Sequence, residues 1–85
     1  MPLYVIERNY AERMEPDAEG VRELEEINAD EGVRWVFSFL TPDGMKSYCL
    51  YEASSPEAIL AAADRAGLPA DVITEVGRVE AAMFN

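Results

Sequence analysis

The chain has 85 residues, 17 acidic against 7 basic, a net charge of −10, one cysteine and no histidine. This balance argues against a nucleic-acid or anionic-membrane partner, because phosphate binding needs clustered Lys and Arg. The missing imidazole removes the commonest general base and transition-metal ligand, and a lone thiol permits no intrachain disulfide and suits a reducing cytoplasm.

Length and a hydrophobic content of 49% predict one folded domain, 1–85, with a modest core. MPLYVIERNY lacks the basic-then-apolar layout of a signal peptide, and no apolar run approaches the ~20 residues of a membrane span. LYVIER (Leu3 to Arg8) alternates as a first strand, and YAERMEP is a polar connection. From Asp17, the expected N-cap, to about Glu31, a helix carries Ala18, Val21, Leu24 and Ile27 on one face, and Gly32 stops it. VRWVFSF and YCLYEA form a hairpin closed by Thr41-Pro42-Asp43-Gly44, where Pro42 presets φ and Gly44 takes the positive φ of a type I turn with a bulge. A second helix starts at Ser55 as N-cap and Pro56 as first helical residue. Its face is Ala58, Ile59, Ala62, Ala63 and Ala66, and it ends at Gly67. Asp71 to Val79 is the last strand, with Gly77 a bulge candidate, and Glu80 to Asn85 is a tail expected to pack its Met83 and Phe84 against protein.

The order β-α-β-β-α-β predicts an α+β, ferredoxin-like domain: a four-stranded antiparallel sheet with two helices on one face. Two short helices cover one face only. Yet the hairpin is apolar on both, with Trp35, Phe37 and Phe39 opposed to Val36 and Leu40, and Tyr48 and Leu50 opposed to Met45, Cys49 and Tyr51. A wet face would be polar, so the second face is expected to meet another chain, most simply in a two-fold homodimer.

Candidate chemistry is sparse. The acidic series Glu12, Glu15, Asp17, Glu19, Glu23, Glu25, Glu26, Asp30 and Glu31 has oxygen ligands for a hard cation but not the spacing of a calcium loop, and reads as a solvated helix face. Cys49 is a candidate thiolate ligand. With apolar neighbours and no histidine to activate it, it reads better as a buried structural residue. Glu7, Arg8, Glu52, Asp64, Arg65 and Glu75 sit where a cleft could form, although charges at strand ends are usually ion-paired or exposed.

VRWVFSF, YCLYEASSPEAI and RAGLPADVITEV together resemble the DUF4242 family of small bacterial proteins, over Gly32 to Val76. Members share a tryptophan-bearing strand, a C-[LV]-x-x-A-P strand end, a Glu-Ala helix and a terminal D-x-I-x-E-V-like run. The resemblance implies a ferredoxin-like fold, homodimers and, in some members, bound nickel. Those members carry H-x-x-x-H on the second helix and a further histidine near the end of the first strand. Here the positions read AILAAADRAGLP and Glu7-Arg8-Asn9, so no nickel ligand carries over, and only Cys49 aligns with a family position of interest.

These readings favour a non-enzymatic, cytoplasmic homodimer with no resident cofactor. Its cleft would bind a small ligand, or a metal weakly through Cys49 and carboxylates such as Glu7, Glu52, Asp64 or Glu75. Two others stand beside it: a purely structural interaction module, and a small dimeric α/β-barrel enzyme resembling cofactor-free monooxygenases or cyclases. Tyr4, Arg8, Arg34, Tyr48, Tyr51 and Glu75 are the ligand-binding candidates in either functional case. A deep pocket holding two or more of them favours the enzyme; a filled barrel favours the module.

Overall fold

A computed structural model describes residues 1–85. Strand β1 (Leu3–Asn9) is followed by helix α1 (Ala18–Glu31), strands β2 (Arg34–Leu40) and β3 (Lys46–Glu52), helix α2 (Pro56–Ala66) and strand β4 (Val72–Val76). The sheet order is β2-β3-β1-β4 with every neighbour antiparallel, the ferredoxin-like arrangement expected. No helix is long and apolar enough to cross a membrane.

Local chemistry sets the element ends. The Asp17 carboxylate accepts from the Gly20 amide at 2.7 Å and opens α1, and Gly32 closes it in the left-handed region. Ser55 and Gly67 do the same for α2, with Pro56 at its first position. In the hairpin the Gly44 amide donates to the Thr41 carbonyl at 2.8 Å, the Thr41 amide to Lys46 at 2.9 Å, and Gly44 has φ +70°. This is the bulged type I turn.

Alternation then sorts the two sheet faces. Tyr4, Ile6 and Arg8 of β1 lie opposite Tyr51, Cys49 and Ser47 of β3, and all six are buried. Tyr4, Ile6, Cys49 and Tyr51 form the core together with Ile59 and Ala62 of α2, and Ile27 of α1 packs against it. The same face of β4 presents Ile73 and Glu75, opposite Ile6 and Tyr4.

Strand β2 departs from the alternation expected of it. A bulge between Trp35 and Phe37 makes two residues oppose one on β3. Trp35 stays against the core, while Val36 and Phe37 both line the open face beside Leu50. Beyond the bulge, Ser38 and Leu40 point to the helix side and Phe39 does not. Trp35 therefore does not share a side with Phe37 and Phe39, and Leu40 does not share one with Val36. The irregularity foreseen at Gly77 is absent, because β4 stops at Val76. The tail forms one 3-10 turn, Ala81–Phe84, with Phe84 78% exposed, so the packing expected of it is not found within the chain.

Candidate functional site

The outward side of the hairpin turn builds the lid of a cavity. Gly44 sits against the connection between β1 and α1: its carbonyl accepts from the Met14 amide at 2.8 Å, while the Tyr10 amide donates to Met45 at 2.9 Å. A Cβ at Gly44 would lie 2.8 Å from the Arg13 side chain and 3.0 Å from the Met14 carbonyl, so only glycine allows this approach. The connection is thereby laid over the end of the helix-covered sheet face. Beneath it is a cavity of about 300 Å³, walled by Val21, Leu24 and Ile27 of α1 and floored by Trp35, Cys49 and Tyr51.

Most of the lining is apolar, but a polar line crosses the floor. The Tyr10 hydroxyl is 2.7 Å from Ser47 Oγ, which is 3.4 Å from Cys49 Sγ. Across the bulge, Trp35 Nε1 donates to Ser38 Oγ at 2.8 Å. Asn28 Nδ2 reaches the Tyr51 hydroxyl at 3.4 Å, while its own Oδ1 is buried with no partner. Burial pushes the Tyr51 phenol above its ordinary value, offset in part by Asn28 and Arg8, and burial likewise raises Tyr10.

Arg8 is the unusual member. It is 2% exposed, donates from Nη1 to the Pro69 carbonyl at 2.6 Å, and lies 5.8 Å from the centroid of the Tyr51 ring. Arg13, Arg34, Lys46, Arg65 and Arg78 each pair with a carboxylate, and Arg8 with none. The acidic lining residues Glu15, Asp17 and Glu23 are exposed, at the cavity's mouth.

Of the residues singled out from sequence, Arg8, Tyr51 and Cys49 line this one cavity. Tyr4 is buried on the same face but outside it, its phenol raised by burial and by the Glu75 and Glu57 charges. Glu75 itself is exposed. Arg34 pairs with Glu52, and Tyr48 carries Lys46 over its ring at 5.1 Å, so these two candidates belong to the other face. Tyr10, Ser47 and Asn28 escaped the sequence reading. Asn28 had a signal, a polar side chain four residues after Leu24 on the inner face of α1. No three His, Cys, Asp or Glu side chains converge into a metal-holding group.

The crystal structure of SCO4226 from Streptomyces coelicolor A3(2) matches with a TM-score of 0.70 at 23% identity, over 92% of this chain and 99% of that one. At that identity the likeness establishes a common fold. No curated protein matches the sequence. Residues 4–76 match the family described as "Nickel responsive protein SCO4226-like", which stands in place of the DUF4242 name that the motifs resembled. The chain belongs to this nickel responsive, SCO4226-like family.

Proposed function

We propose that the protein is a non-enzymatic, homodimeric binding protein that holds a small organic ligand between α1 and the sheet. The observation that carries this is the cavity itself. It is apolar over most of its wall, with Arg8, Tyr10, Ser47 and Tyr51 as a few convergent polar groups, which is the usual make-up of a small-molecule site.

Nickel fits the residues poorly. Imidazole is absent, and the one thiol is buried beside Ser47 with no carboxylate group converging on it. The family's nickel response therefore has no evident counterpart in this chain's donor set. Tag-free protein is expected to retain no nickel through dialysis, and stoichiometric binding abolished by Cys49→Ser would reverse that reading.

The homodimer rests on the open sheet face, where Val5, Leu50, Phe37 and Phe39 cluster and Phe39 is 67% exposed. A second reading, a small enzyme, is favoured by one specific observation: two of the candidates, Arg8 and Tyr51, line one cavity. It lacks a proton acceptor: there is no histidine, and the nearby carboxylates are exposed at the mouth. Trp35, the single tryptophan, lines the cavity and reports on its occupancy. Small amphipathic molecules are expected to change its fluorescence and raise the thermal midpoint without being turned over. No response to any of a broad set would remove the binding reading, and product formation would favour the enzyme.

A further inference from the structure

We infer that the cavity's ligand is an organic acid, a single anionic head on an apolar body, with the head against the Arg8 guanidinium. This deepens the binding reading above and rests on it.

The argument begins with a charge imbalance. The chain has 17 carboxylate side chains for 7 basic ones, so a cation has no shortage of partners. Five of the seven bases are ion-paired, and of the remaining two Arg22 is exposed. Arg8 alone is both buried and without a carboxylate. A buried charge is ordinarily paired, because the loss of its hydration is recovered only by a counter-charge and a full set of hydrogen bonds. Guanidinium offers five N–H donors, and here the Pro69 carbonyl takes one at 2.6 Å. Tyr51 offers its ring, which attracts a cation but does not neutralise it.

Position gives the rest. Arg8 lines a cavity rather than filling a packed core, with the Tyr10 and Ser47 hydroxyls also in its wall. A carboxylate there would accept from the guanidinium in charge-assisted hydrogen bonds, stronger than neutral ones, with a hydroxyl as additional donor. The remainder of the wall, including Val21, Leu24, Ile27 and Trp35, matches an aliphatic or aromatic body. A bare inorganic anion would leave that wall uncovered. The acids at the mouth oppose an extended polyanion, which would place its second charge beside Glu15, Asp17 or Glu23.

The test pairs each acid with its neutral counterpart: octanoate with octanol, phenylacetate with 2-phenylethanol, and inorganic phosphate alone, all titrated into tag-free protein and followed by Trp35 fluorescence and calorimetry. The acids are expected to bind at least about tenfold more tightly than the alcohols, the size of a charge-assisted hydrogen bond. Phosphate is expected to bind far more weakly than either acid. Arg8→Met should abolish the preference for acid over alcohol, each acid losing at least about tenfold more affinity than its alcohol, and Arg8→Lys should restore part of it. If Arg8→Met does not fold, the wild-type comparison and the Lys variant still decide. Equal binding of acid and alcohol by the wild type would overturn the anion while leaving the binding reading intact. Phosphate binding as tightly as octanoate would overturn the apolar body. Silence from all five probes would count against both readings, and a response to the alcohols alone against the acid only.

Discussion

The two faces of the sheet are furnished the opposite way from what cover alone would suggest. The face beneath the helices holds a cation, two phenols, a serine and a thiol: Arg8, Tyr4, Tyr51, Ser47 and Cys49. The bare face holds Val5, Phe37, Phe39 and Leu50, with its charges drawn into the Arg34–Glu52 and Lys46–Glu7 pairs. Phe37 and Phe39 meet edge-on there, ring centroids 5.3 Å apart. Polar groups under cover need partners, and apolar groups in the open need cover. The proposed ligand would answer the first need and the proposed homodimer the second.

The sharpest way to test that contrast is to truncate equivalent residues on the two faces. Ile6 is fully buried, and Ile6→Ala should cost about 2–5 kcal/mol. Val5, its neighbour on the bare face, should lose far less in folding but weaken association when changed to Ala. Equal losses in denaturant titrations would erase the distinction between the faces. Next in size is Leu50→Glu, which places a charge among the open-face apolar groups. It should leave the fold intact by circular dichroism and shift sedimentation from dimer to monomer. A wild-type protein that is already monomeric at micromolar concentration would remove the homodimer from the comparison.

A smaller effect is expected from Gly44→Ala. The positive φ costs about 1–2 kcal/mol for a residue with Cβ, and the new methyl meets the Met14 carbonyl at 3.0 Å. Stability should fall by roughly that amount, and the Trp35 emission should shift as the lid moves. An unchanged spectrum would mean that the turn does not hold the lid. The smallest effect is alkaline. Tyr4, Tyr10 and Tyr51 hold their protons above the ordinary 10.0 because burial opposes the phenolate. The folded state thus binds protons more tightly than the unfolded chain. The resulting stability is complete below pH 10 and is lost as pH rises through the folded values. Tyr51→Phe should make that loss shallower, and an identical slope in the variant would contradict it.

Much of this fold was written in local chemistry. Asp17, Gly32, Ser55, Pro56, Gly67 and the Thr41–Gly44 turn act within a few residues of themselves, so a linear reading finds them. Arg8 was legible too, two residues after Ile6 in an alternating strand and so on the same face. Cys49 and Tyr51, two apart in β3, were legible in the same way, but Tyr10, Ser47 and Asn28 were not, because their roles are made by distant segments meeting. Tyr10 and Ser47 are 37 residues apart, and Arg8 and Pro69 are 61. The bulge in β2 left no mark either, since Val36 is a good strand residue and carries none of the glycine signal that pointed wrongly to Gly77.

That bulge also says something about insertions and deletions. Read without Val36, β2 alternates perfectly: Trp35 inward, Phe37 outward, Ser38 inward, Phe39 outward, Leu40 inward. Val36 is thus a supernumerary residue that the strand absorbs without exchanging its faces. A one-residue deletion, ordinarily ruinous in a strand because it turns every later side chain over, would here conserve the orientation of all of them. Deleting Val36 would remove one open-face side chain while Trp35, Ser38 and Leu40 stay inward and Phe37 and Phe39 outward.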